Sequence, residues 1–238
     1  MTQDGVSGFH SSRRAGRPLS RRQWWRTVAC ASWAGAASLG ALGQKLEPSD
    51  ESERDPELLR VLNKLAGVVE RRKEQELLSW IGPDFRVEFS AGQGPSAFRQ
   101  FWRTDQGDSE IWGLLARLLA IGGTFYSPAL FAIPYVYTRF PVDLDPFGHV
   151  VALQDNVPVR RDSLPDSPIV STLRFDIVSA KPALRAPVRL DRMRWAPVVT
   201  AGRSGYVSAP QVWNPAGHRA FFEKRRGRWA WISLVCAD

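Results

Sequence analysis

The pattern of apolar and polar positions changes period along the chain, and the changes mark out its parts. Leu58, Leu59, Leu62, Leu65, Ala66 and Val69 recur at helical spacing and make one apolar face. Ahead of them, Asp55, Pro56 and Glu57 supply a capping side chain, a proline at the first helical position and an acid at the positive end of the helix dipole. The spacing predicts one helix from 56 to the stop at Gly82 and Pro83, with Arg71 to Glu76 on its solvated side. Phe85, Val87 and Phe89 alternate with Arg86 and Glu88, which predicts a strand. Phe98, Phe101 and Trp102 then suggest a short helix. A longer one follows from Asp108 or Ser109 to Ile121, with Ile111, Trp112, Leu115, Leu118 and Leu119 as its core stripe and Gly122 as its end.

From 147 onward the period shortens to two. Runs at 150–153, 157–160, 169–173, 175–178, 195–199 and 205–207 are separated by turn residues, as in a small β-barrel. Arg219 to Lys224 and Arg228 to Val235 read as a hairpin around Arg226 and Gly227. Phe221, Trp229, Trp231 and the run 232–235 are too apolar for a free ribbon, so the hairpin is expected to return and pack on the helices. The fold class is therefore α+β. It comprises a linker at 45–55, a helical domain with at least one strand at 56–146, a barrel at 147–213 with a long loop at 179–194, and a C-terminal hairpin at 214–238.

The leader has a different composition. Six arginines, at 13, 14, 17, 21, 22 and 26, precede an uncharged stretch from Thr27 to Gln44. Within it, Ser20 to Arg26 resembles the twin-arginine translocation motif, with Trp24 and Trp25 where that family usually has phenylalanine and leucine. The resemblance implies that residues 1–44 are a signal peptide, cleaved between Ala36 and Lys45, and that the working protein is periplasmic or secreted. The alternative is an uncleaved signal anchored in the inner membrane, the one case in which membrane contact is expected. Glycine, serine and alanine dominate the stretch, and a stable span needs mostly leucine-like residues.

Setting the leader aside changes the charge. The whole chain has 32 basic and 24 acidic residues, but 26 and 23 of these lie beyond residue 44, a net charge of +3. The basic character thus belongs largely to the leader and gives no reason to expect nucleic acid as a partner. Beyond the leader Cys236 is the one cysteine, so no intramolecular disulfide is expected.

Val157, Pro158, Val159 and Arg160, then Trp195 with Val198, then Gly202, Gly205, Tyr206 and Val207, occur in an order that resembles the bacterial SH3-like (SH3b) domain. The resemblance implies a noncatalytic module that holds a peptide, a protein or a cell-wall polymer of the envelope. Its departure from the pattern is the long connection Ser179 to Arg194. That segment carries Lys181, Arg185, Arg189, Arg192 and Arg194 against Asp191 alone, which suits anionic partners. The candidate binding residues are Trp195, Tyr206, Arg160 and these five basic residues. Helices first and a sheet ending in Gly-x-Trp also resemble cone-shaped domains like nuclear transport factor 2.

Chemistry is poorly provided for. His149 and His218 are the histidines beyond the leader, too few for a metal site, and no glycine-rich segment has phosphate-loop spacing. No cofactor, metal site or catalytic residue is expected, and the chain reads as a non-enzyme. Two alternatives stay open. One is a small-molecule carrier with a pocket lined by Trp80, Phe98 and Trp112. The other is a wall hydrolase using Cys236 and His218 as a nucleophilic pair.

Overall fold

The computed structural model describes residues 43–88, 91–180 and 193–236. The leader as far as residue 42, Phe89, and Lys181, Arg185, Arg189 and Arg192 of the basic connection lie outside the described residues.

The helices are α1 (Pro56–Glu70), α2 (Glu74–Ser79), α3 (Gly94–Trp102), α4 (Glu110–Ile121) and α5 (Tyr135–Arg139). The strands are β1 (Thr124–Ser127), β2 (Leu130–Ile133), β3 (His149–Ala152), β4 (Val157–Arg160), β5 (Ile169–Leu173), β6 (Ile177–Ala180), β7 (Trp195–Thr200), β8 (Arg203–Ser208), β9 (Val212–Trp213), β10 (Arg219–Arg225) and β11 (Arg228–Val235). A short 3₁₀ turn, Ala209–Gln211, precedes β9.

Asp55 caps α1, its carboxylate accepting from the Glu57 and Leu58 amides at 3.0 and 3.2 Å. The single helix predicted to reach Gly82 stops at Glu70 instead. Arg72 takes a left-handed conformation with φ of 49°, and the Arg72 and Lys73 amides donate back to the Val69 and Val68 carbonyls. This is the closure that glycine usually provides, built here on arginine. The chain then restarts as α2, which brings Leu77 into the core.

The strand predicted at Phe85 to Phe89 is also corrected. Phe85 and Val87 are buried, but among the described residues the pairing there is limited to isolated bridges from Arg86 to Gln93 and Ser233. The segment runs beside β11 for one residue, so apolar alternation arises without a ladder.

Two antiparallel sheets follow. The first has the order β1-β2-β10-β11, with the C-terminal hairpin entering beside β2. Arg226 and Gly227 both have positive φ, as the tight turn between β10 and β11 requires. One face of this sheet packs on the helices, where Trp229, Trp231, Phe222 and Leu234 meet Leu58 and Phe98 in one core.

The second sheet lies between β2 and β10 in the chain and has the order β5-β4-β8-β7-β6-β3-β9. It curls round its own core of Val150, Val157, Val159, Val198, Val207 and Val212. The predicted barrel does not close: among the described residues β5 and β9 are its edges and share no pairing. The reason is visible in β3, β6 and β9, which bury both faces. Val150, Val178 and Val212 point into the sheet's own core, while Val151, Ile177 and Trp213 join the core of the helices. Helices thus cover apolar surface that closure would otherwise have to hide. Among the described residues no helix is long and apolar enough to cross a membrane.

Candidate functional site

Strand alternation divides β7 and β8 into two sets of side chains. Ala196, Val198 and Val207 point into the core and are buried, so Trp195, Pro197 and Tyr206 stand on the outward face and are half-buried. Pro197 pairs with Tyr206 across β7 and β8, Tyr206 with Arg160 across β8 and β4, and Arg160 with Ile169 across β4 and β5. Directly opposed residues on one face have Cβ atoms about 5 Å apart, so these four form a continuous row over four strands. Trp195, two residues from Pro197 on β7, is the diagonal neighbour of Tyr206.

This register depends on Gly205. A Cβ at that position would lie 2.5 Å from Val159 Cγ1 and 2.7 Å from the Arg160 carbonyl oxygen. Only glycine lets β8 come close enough to β4 to set Tyr206 beside Arg160. At the β7–β8 turn, Ala201 and Gly202 both have positive φ and fix the hairpin register. The Arg160 guanidinium is positioned as well, donating to the Ser167 carbonyl at 2.7 Å across the β4–β5 loop.

The structure therefore brings Trp195, Tyr206 and Arg160 together. Arg194 is exposed beside Trp195, while Lys181, Arg185, Arg189 and Arg192 lie outside the described residues. Sequence reasoning missed Pro197 and Ile169. Pro197 was within reach, since it alternates in phase with Trp195. Ile169 needed the cross-strand register, because nothing local marks it as 57% exposed.

A second polar assembly is buried at the other end of the chain. Glu88 Oε1 lies 3.3 Å from His218 Nε2, and Glu88 Oε2 accepts from the Cys236 amide at 2.9 Å. Glu88, His218 and Cys236 are all buried, and the Trp102 ring lies 5.4 Å from the imidazole. Arg219, next to His218, stacks over Tyr137 at 4.7 Å and donates to the Ala216 and Gly217 carbonyls. Burial lowers the Arg219 pKa and raises that of Tyr137. Cys236 Sγ is 3.7 Å from the Ala216 carbonyl oxygen. The histidine and cysteine are thus buried neighbours of one carboxylate, which accepts from the Cys236 amide. Among the described residues no group of three or more His, Cys, Asp or Glu side chains could hold a metal ion.

The residues weighed for a carrier pocket are packing residues. Phe98 and Trp112 are buried in the main core, and Trp80 packs against it. Phe85, Phe98 and Trp231 fill the space between α3 and the sheet with edge-to-face contacts at 4.9–5.8 Å.

No family model matches the chain, and no curated protein matches it. Among solved structures, an NTF2-like protein with a cystatin-like fold from Novosphingobium aromaticivorans is similar over 79% of this chain and 81% of its own, at 10% identity and a TM-score of 0.28. A score that low does not establish a shared fold.

Proposed function

We propose that this chain is a noncatalytic binding protein of the cell envelope, exported by its twin-arginine leader, that holds a peptide, protein or wall polymer on the outward face of the seven-stranded sheet. The carrying observation is the row Pro197, Tyr206, Arg160 and Ile169 with Trp195 beside it. Aromatic and arginine side chains dominate binding energy at interfaces, and here they share one face of a rigid sheet. Arg194, which is exposed, directly precedes Trp195 at the start of β7.

We infer further that the sheet is of the SH3-like kind. In support, β6, β7 and β8 form a meander, and a 3₁₀ turn after β8 leads into a short last strand that returns to pair with β3. The noncatalytic part of the reading is supported by the burial of Cys236 and His218.

The test is capture from envelope extract by the mature protein. Changing Trp195 and Tyr206 together to alanine is expected to weaken capture at least about tenfold. Charge reversal at Arg185, Arg189 and Arg192 should weaken it at low salt and much less at high salt. Equal capture by the aromatic variant and the wild type overturns the assignment of the surface.

A further inference from the structure

A guanidinium that leaves water must place its N–H donors on other acceptors, and a carboxylate usually takes them. Arg219 is the one buried arginine among the described residues, and no carboxylate there comes within ion-pair distance of it. Glu88 acts on it only through its charge, that carboxylate being engaged by His218 and the Cys236 amide. Both hydrogen bonds of Arg219, to the Ala216 and Gly217 carbonyls, come from Nη1 and are long, at 3.4 Å. Nε is buried without a hydrogen-bond partner, and Nη2 makes no hydrogen bond among the described residues. Nε and Nη2 form one edge of the guanidinium, and their parallel N–H bonds match the two oxygens of a carboxylate.

The surroundings decide what else such an anion carries. Arg219 pairs with Val235 and stands on the face of the four-stranded sheet turned away from the main core. Phe221, Val235 and Leu130 are buried on that face, with Ile232 and Tyr137 packed against them. Tyr137, half-buried, lies under the guanidinium, and Tyr126, 53% exposed, is near enough to raise the pKa of Tyr137 by its charge. Burial lowers the pKa of Arg219, as expected of a cation whose hydration has not been replaced. A multiply charged oxyanion would cost more to desolvate here than one guanidinium returns, whereas a single carboxylate leaves the pair neutral.

We propose that Arg219 anchors a second binding site, which takes a small organic monocarboxylate. The carboxylate sits on the Nε–Nη2 edge, the apolar body lies against Phe221, Val235 and Tyr137, and entry is past Tyr126. The site belongs to the four-stranded sheet, so it is separate from the row of Pro197, Tyr206, Arg160 and Ile169 and does not depend on that row.

The experiment titrates the full chain with benzoate and with hexanoate and follows the Arg219 Nε–H resonance by NMR. At least one of the acids should shift that signal downfield and slow its exchange with water. The matching amides, benzamide and hexanamide, are alike in shape and uncharged, and should leave it in place. R219K keeps the charge and loses the fork, so it should weaken binding of the acid at least about tenfold, measured below the melting transition of the variant. Should R219K fail to fold, the Nε signal of the wild type decides alone. Changing Trp195 and Tyr206 together to alanine should leave binding of the acid as it is. The inference is overturned if neither acid moves the Arg219 signal, if an amide moves it as far as its acid, or if R219K binds as tightly as the wild type. Inorganic phosphate that displaces the acid at equal concentration overturns the apolar body of the ligand. Loss of acid binding in the variant at Trp195 and Tyr206 overturns the separate site, whereas its persistence while envelope capture fails leaves this site standing without the recognition face.

Discussion

Asp55 shows how much one side chain can organise. It caps α1, and its other oxygen accepts from Lys224 Nζ at 2.7 Å and Trp229 Nε1 at 3.0 Å, tying the helix start to both strands of the C-terminal hairpin. The Lys224 hydrogen bond chiefly, with the Trp229 and backbone donors, lowers its pKa from 3.8 to about 2, against a smaller opposing effect of burial. A carboxylate depressed on folding contributes stability that is full above its unfolded value near 3.8 and is lost as pH falls through about 2. D55A should cost about 1–2 kcal/mol at neutral pH, little of it from the half-exposed lysine. An acid titration followed by tryptophan fluorescence checks this: wild type and D55A should converge between pH 3.8 and 2. A constant gap down to the lowest pH would remove the linkage. The Glu88 and His218 pair makes a second prediction. H218A empties a buried site beside Glu88 and the Trp102 ring and should cost about 2–5 kcal/mol in denaturant unfolding. C236S should cost less than about 1 kcal/mol, because the bond to Glu88 comes from the backbone amide.

Among the elements, those bounded by turn or capping residues were legible in the sequence. Strands at 157–160 and 169–173 have the bounds the alternation gave, and α4 begins after Ser109, whose hydroxyl accepts from the Ile111 amide. The break between α1 and α2 was hidden because arginine, a good helix former, occupies the left-handed position at 72. Strand β2 and the start of helix α5 were missed for another reason. Residues 130–136 are all buried, so the chain shows neither alternation nor helical period there. Of the candidate site, the aromatic and arginine members were visible as residue types. Their assembly was not, because it depends on β4 meeting β8, a contact between distant parts of the chain. That contact makes Gly205 testable. G205A drives a methyl into Val159 and the Arg160 carbonyl, and should cost about 1–3 kcal/mol while separating Tyr206 from Arg160. G202A, at the open hairpin tip, has strain from its positive φ but no clash, so it should destabilise the chain without uncoupling the row. Equal losses of binding in the two variants would count against the role given to Gly205.

At the scale of the molecule, the question is what joins the recognition sheet to the helices. The shared core of Val151, Ile177 and Trp213 supplies apolar contact, but contact alone allows sliding. Arg117 on α4 adds direction. One of its nitrogens donates to the carbonyls of Ala209, Pro210 and Val212 at 2.7–2.9 Å, and its guanidinium lies 4.8 Å from the centre of the Trp213 ring. It therefore holds the 3₁₀ turn and β9 together, with the carbonyls oriented toward the helix. R117M keeps the aliphatic stem and the packing while removing the charged donor, and charged hydrogen bonds of this kind contribute about 1.5–3 kcal/mol. The loss should be local. Amide exchange should quicken at Val212 and at the residues that pair with β9, Val151 and Ala152, while β4, β5 and β8 exchange as before. Binding to the outward face should persist, because Trp195, Tyr206 and Arg160 belong to β7, β8 and β4, while the carbonyls that Arg117 holds belong to the 3₁₀ turn and β9. If exchange instead rises uniformly through both sheets, Arg117 is holding the whole molecule rather than one edge. If binding falls with it, the outward face and the helices are energetically coupled through β9, and the recognition surface extends across the molecule.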